Sequence, residues 1–237
     1  MNSSYNARLA AVSPPQYSGS DASGKLMIES QKGNVVLVPV GLRPELFQQY
    51  WLIKNQLLSE NASGIFTPVV VQCSDNDFEL LVLQDRLQIH AKVDDLAQGM
   101  ATSADRLRRF IQAAGSSIGP LRGAGLNCQV VITGNGAGSD FVKKTFFKER
   151  FFDEVEEGLM NMSLSFAESQ RFGLVTTNIN SVVHSETERS GIQVDFNCHR
   201  DVTTLDDVED LLASASDFAQ LCRRRCDQIE QRLEGEE

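Results

Sequence analysis

The sequence predicts an α+β protein: an antiparallel sheet covered by three main helices, the last of them long and C-terminal. Three observations lead there. Short segments rich in branched and aromatic residues, several alternating apolar and polar side chains, recur along the chain. Clusters of polar turn residues separate neighbouring segments, as tight hairpins require. Three further segments carry apolar residues at three- and four-residue steps, the spacing of a helix with one buried face. With 237 residues the chain is long enough for a sizeable core.

In chain order, residues 1–24 are rich in Ser, Gly and Pro, carry no apolar period, and are expected to form a mobile arm ahead of one α+β domain over 25–237. A strand is expected from Asn34 to Val40. Pro44 then sits at the first turn of a helix running to about Glu60, with Leu46, Phe47, Tyr50, Trp51, Ile53, Leu57 and Leu58 on one broad face. Strands follow at Phe66–Cys73, Phe78–Leu83 and Arg86–Lys92, joined through Ser74–Asp77 and Gln84-Asp85. In the third, Leu87, Ile89 and Ala91 oppose Gln88, His90 and Lys92, which predicts a sheet with one wet face. A helix is expected from Ser103, as N-cap, to Ala114, with Gly115 as its stop. The strand Gly125–Thr133 leads into a glycine loop, and a short helix or irregular segment spans Asp140–Phe152. Strands at Leu159–Ala167, Phe172–Val183 and Gly191–Cys198 precede a helix from Leu205 to Leu233, which at that length extends for about 40 Å.

The strand Leu87–Lys92 with the helix after it resembles Ile192–Asn197 with the helix after it. This echo predicts two similar strand-helix halves, about 25–133 and 140–237, although any two amphipathic strand-helix units share such features. Four stretches, Phe78 through Ile89, Leu107–Ile111, Leu121-Arg122-Gly123-Ala124-Gly125-Leu126-Asn127 and the helix Asp217–Leu233, together resemble a sporadically distributed bacterial family of unknown function. The resemblance implies an α+β fold, a cytoplasmic bacterial or phage setting and a place in a mobile-element or defence-related operon. It supplies no catalytic residues.

The charge balance, 22 Lys+Arg against 32 Asp+Glu for a net charge of −10, argues against nucleic-acid binding over the general surface, because that affinity comes from cations neutralising phosphates. No apolar run is long enough to span a membrane, and Met1–Tyr5 do not begin a secretory signal. Five scattered cysteines, an odd number, fit reduced thiols in a cytoplasm, so three glycosylation-type patterns (at Asn2, Asn61 and Asn161) are set aside.

Four constellations carry chemistry. Gly134, Gly136, Gly138 and Ser139 follow a strand and could cradle an anion on backbone amides, but the spacing matches neither a dinucleotide nor a phosphate-loop fingerprint and Asp140 stands at its mouth. Cys222 and Cys226 share a helix face near Cys198-His199, a donor set for zinc, yet both cysteines continue the helix's apolar stripe, where free Cys acts as a small hydrophobe; no metal and no cofactor is expected. His90, His184 and His199, with Asp195 and Asp201, match no hydrolase or metal-site spacing, and His90 and Asp195 fall on polar strand faces. Lys143, Lys144, Lys148 and Arg150 interleave with Phe141, Phe146, Phe147, Phe151 and Phe152, a mixture that single-stranded nucleic acid sites use, but Asp153–Glu157 oppose that field. The phenylalanines serve equally as a protein-contact surface or as core, and the later part of the terminal helix, through Cys222, Ile229 and Leu233, offers a second contact surface.

The expected function is therefore a non-catalytic interaction or assembly subunit that binds a protein partner or itself, for which the resemblance implies a setting in a bacterial defence or mobile-element system. The alternatives are a metal- or nucleotide-dependent enzyme and a nucleic-acid-binding accessory protein.

Overall fold

The computed structural model describes residues 27–133, 142, 163–183 and 190–234. Among the described residues nine strands form one antiparallel sheet: β1 (Met27–Pro39), β2 (Ser63–Phe66), β3 (Val71–Ser74), β4 (Phe78–Leu83), β5 (Arg86–Ala91), β6 (Leu121–Thr133), β7 (Ser163–Gln170), β8 (Gly173–Val183) and β9 (Ser190–Asp201). Their order across the sheet is β2-β3-β4-β5-β1-β6-β9-β8-β7. The two 13-residue strands β1 and β6 lie side by side in the middle, paired from Met27↔Thr133 to Pro39↔Leu121. The fold class is α+β, as the alternating segments and helical faces predict.

Helices α2 (Leu96–Ala114), α3 (Leu205–Ala213) and α4 (Ala215–Glu234) pack on one face of this sheet, and α1 (Gln49–Lys54) packs against α2 through Trp51 and Phe110. Period-two alternation decides which side chains they cover: Val35 and Leu37 of β1, Leu87 and Ile89 of β5, Leu126, Cys128 and Val130 of β6, and Val194 and Phe196 of β9 are all buried. Helix α2 crosses close to β1, where a Cβ on Gly33 would stand 2.5 Å from the Met100 sulfur, so the approach depends on that glycine. Val142 is also fully buried.

Several boundaries differ from the sequence reading, each for a local reason. The helix expected over 44–60 is a 3₁₀ turn at Pro44–Leu46 followed by the six-residue α1; the chain leaves it through Gln56 at φ +56°, and Leu57 and Leu58 are buried from an irregular segment. The strand expected at 66–73 folds back at Thr67–Val70, where the Thr67 hydroxyl accepts from Val70 N at 3.1 Å, so β2 and β3 form a hairpin instead. Helix α2 begins at Leu96, seven residues before Ser103. Its N-cap is Asp95, which accepts from Gln98 N at 2.8 Å, while Ser103 is fully buried and its Oγ accepts from Ala91 N of β5 at 2.8 Å. Gly115 does end the helix. The terminal helix is two helices that part at Ser214, whose φ −90° and ψ 2° leave the helical range. Thr204 and Asp207 close a capping box at the start of α3. The described helices are thus four, and α4 alone has 20 residues. No helix among the described residues is long and apolar enough to cross a membrane.

Candidate functional site

The helices cover one face of the sheet. No described helix packs on the other, and most of its side chains are half-buried or exposed; Thr133 at the end of β6, whose hydroxyl donates to Glu29 at 2.7 Å, is fully buried. This open face is a chemically distinctive surface of the described residues. Its middle is built of amides brought together by register. Asn34, Asn127 and Asn197 lie directly opposite one another on β1, β6 and β9. Asn127 Nδ2 donates to Asn34 Oδ1 at 2.9 Å and Asn197 Nδ2 to Asn127 Oδ1 at 2.8 Å, a ladder of side chains across three strands.

Two residues along the same strands, Asp195 accepts from Gln129 at 2.9 Å and from Gln193 at 2.8 Å, with Asn180 of β8 at 3.4 Å. Its donors are amides of its own strand, Gln193, and of the two neighbouring strands, Gln129 and Asn180, so one carboxylate is fixed at the centre of a hydrogen-bonding array. By register, Asn178 and Thr176 of β8 and Ser163 and Ser165 of β7 extend the same polar face beyond the array. Near the other end of β9, His199 is exposed and its Nε2 lies 3.4 Å from Asp201 Oδ1. The His199 ring rests over Gly123, where a Cβ would meet Cε1 at 2.8 Å, so a side chain at 123 would displace it.

Toward β2 the open face holds a shallow concavity of about 450 Å³, lined by Ser63, Ile65, Gln72, Ser74, Glu79, Leu81, Gln88 and His90. Glu79 and His90 are cross-strand partners, and His90 Nδ1 lies 2.6 Å from the Gly33 carbonyl, which fixes the ring. Lys92 donates to Ser74 Oγ at 2.6 Å and to the Asp75 carbonyl at 2.7 Å, and stands 4.0 Å from Glu79. The expectation that His90 and Asp195 belong to polar strand faces agrees with this placement. The sequence signal that could have located the array is the alternation of polar residues through Thr176, Asn178 and Asn180 and through Gln193, Asp195 and Asn197.

The four groups weighed for zinc do not converge. Cys198 points into the helix-covered core and His199, its neighbour on the strand, to the open face, because successive strand side chains take opposite sides. Among the described residues no group of three or more His, Cys, Asp or Glu is placed to hold a metal ion. All five cysteines are buried. Burial pushes the Cys73 thiol up to about 12, helped by the Asp75 charge, and the Cys198 thiol to about 11 despite Arg200. Burial likewise raises Cys222, which hydrogen-bonds Cys128, and Cys226. Neutral, enclosed thiols make poor nucleophiles. An aromatic disulfide reagent added to the native protein is expected to release no colour over minutes, and to titrate all five thiols once the chain is unfolded in urea; rapid reaction of even one thiol in the native state would contradict this placement.

Of the contact residues expected from sequence, Cys222 is fully buried and Ile229 is 8% exposed, so both pack within the protein's own core and Cys222 offers nothing to a partner. The apolar stripe on which they lie is the face α4 turns to the sheet. Ile229 does border a small notch of about 110 Å³ with Phe166, Ile179 and Phe196. Of the arginine run in α4, Arg225 pairs with Glu168 at 2.9 Å and Arg223 with Asp95 at 3.8 Å. The side chain of Leu233, the arm at 1–24, the loop residues Gly134, Gly136, Gly138 and Ser139, the cations Lys143, Lys144, Lys148 and Arg150, the phenylalanines Phe141, Phe146, Phe147, Phe151 and Phe152, and His184 lie outside the described residues.

A scan against family models found none that matches the chain, and a search of curated proteins found no significant match.

Proposed function

We propose that the protein is a non-catalytic interaction or assembly subunit that receives a protein partner on the open face of its sheet. The observation that carries this reading is the interstrand amide array, Asn34–Asn127–Asn197 with Gln129, Gln193 and Asn180 around Asp195. Such a surface presents many fixed donors and acceptors and little net charge, which suits the peptide groups and polar side chains of another protein. The Glu79–His90 concavity beside it gives a partner's side chain a recess. A setting in a bacterial defence or mobile-element system belongs to this reading through the family resemblance alone.

The reading extends to two similar units. The strand order supports it with a different boundary, β6 falling in the second unit and not in the first as halves of 25–133 and 140–237 would have it: β3-β4-β5-β1 is followed by β6-β9-β8-β7, so in each set the first strand in the chain pairs with the last, and a helical segment comes next. The amide array lies across the seam between the sets.

A photo-cross-linking amino acid placed at Gln72 or Asn178 on the open face, in the intact protein at its natural level in its own cells, is expected to give one discrete protein adduct, while the same probe at the exposed helix-layer residue Gln112 gives none. Asn178→Arg with Gln193→Arg is expected to abolish the adduct without changing the melting curve. Adducts from Gln112 alone, no adduct from either face, or a nucleotide or metal retained by the purified protein in native mass spectrometry would overturn the proposal.

A further inference from the structure

The two edges of the sheet are unlike. Strand β2 is four residues long, and shortness is one of the ways an edge is kept from pairing with another chain. Strand β7 runs for eight residues, Ser-Leu-Ser-Phe-Ala-Glu-Ser-Gln, in unbroken register with β8 from Ser163↔Asn180 to Gln170↔Gly173. It has no proline, no lysine, no arginine and no bulge, and among the described residues no strand pairs with its outer side. Its one carboxylate, Glu168, is matched within the chain by Arg225 at 2.9 Å. In a chain of net charge −10, this strand thus brings no unmatched charge against a second copy.

On the helix side of β7, Phe166 is 39% exposed and borders the notch of about 110 Å³ that Ile179, Phe196 and Ile229 also line. An edge strand beside an apolar recess is the arrangement that strand addition uses: backbone groups supply pairing and alternate side chains find the recess.

We propose that β7 is a self-association edge at which a second copy of this chain adds its own β7 antiparallel, joining two sheets into one. A two-fold axis normal to the sheet keeps the helix layers of both copies on one side, and centred on Phe166 it sets Phe166 opposite its counterpart, Ser165 opposite Ala167 and Leu164 opposite Glu168. Phe166 of each copy then stands beside the other's notch, a self-complementary contact of the kind two-fold interfaces require. This interface is separate from the open face, so the dimer keeps two open faces for partners.

Light scattering on the full chain is expected to give twice the monomer mass of 26.2 kDa. Phe166→Lys, which sets like charges opposite each other at an exposed position, is expected to halve that mass with the circular dichroism unchanged. Because the native cysteines are buried, Phe166→Cys is expected to form a disulfide-linked dimer under mild oxidation, and Ser163→Cys, far from its own copy in this register, to form none. A monomeric wild type, a dimer that survives Phe166→Lys, or equal cross-linking at both positions overturns the proposal. A monomer whose β7 amides nonetheless resist hydrogen exchange overturns it in favour of an occupant from within the chain. Asn178→Arg with Gln193→Arg should leave the dimer intact, so loss of open-face binding and loss of self-association are read separately.

Discussion

Phe110→Ala is expected to lower the free energy of unfolding by about 3–5 kcal/mol, the usual cost of removing a buried phenylalanine ring. Phe110 is fully buried on α2, and its ring lies 4.9 Å from Phe47 and 5.4 Å from Trp51, which are themselves 5.0 Å apart. The three rings join the irregular 44–58 segment to the helix that covers β1 and β5. That segment has little regular structure of its own, so it is held by the ring cluster together with the buried Leu52, Leu57 and Leu58 and the bond from Arg106 to the Gln56 carbonyl. Truncation therefore leaves a cavity bounded by a 3₁₀ turn and a six-residue helix, and loosening of those elements adds to the loss of buried area. For a chain of this size each kcal/mol moves the thermal midpoint by about 2–4 °C. Tyr50→Ala on the same short helix, 77% exposed, is the control and should cost less than about 0.5 kcal/mol. Urea titration of both variants checks the contrast, and equal midpoints would contradict the account.

The same region shows what the sequence could and could not disclose. Trp51 and Phe47 are legible as apolar residues at helical spacing, and they do face the core; the sequence does not reveal that the chain turns at Gln56 before a long helix can form. The start of α2 is hidden for a related reason. Ser103 has the chemistry of an N-cap, but its hydroxyl satisfies Ala91 N on another element, a tertiary bond that no local pattern records, and Gly99 makes the true first turns look unlike a helix. Strand β5 was readable in full because its alternation and its two-residue turn are both local. The open-face array lies between these cases. The polar alternation of β8 and β9 is printed in the sequence, whereas the meeting of Asn34, Asn127 and Asn197 depends on the pairing of strands far apart in the chain. The break at Ser214 leaves no trace in the apolar stripe, since Leu211, Leu212, Ala215 and Phe218 are buried on both sides of it.

Asp75→Ala is expected to destabilise the protein by about 2–3 kcal/mol at neutral pH, and the difference should shrink in acid. Asp75 is 8% exposed at the turn between β3 and β4. One carboxylate oxygen accepts from Ser59 N at 2.8 Å and Ser59 Oγ at 3.0 Å, the other from Asp77 N at 2.9 Å and Phe78 N at 2.8 Å. The side chain thus closes its own hairpin turn and ties it to the segment that follows α1. Burial by itself raises the carboxyl's pKa, but the three backbone donors and the Ser59 hydroxyl outweigh it and hold the group below the ordinary aspartate value. A folded-state value below the unfolded one means that the unfolded chain binds the proton more readily. The contribution is therefore complete above the unfolded value of about 4 and is lost as pH falls from there through the folded value. Asp75→Asn keeps one acceptor oxygen and should lose less than Asp75→Ala, with no share of the acid dependence. Urea titrations of the three proteins between pH 7 and pH 3 check the sign: the gap between wild type and Asp75→Ala narrows toward pH 3, and a gap that stayed constant would show that the carboxylate is not held in its charged form by these four bonds.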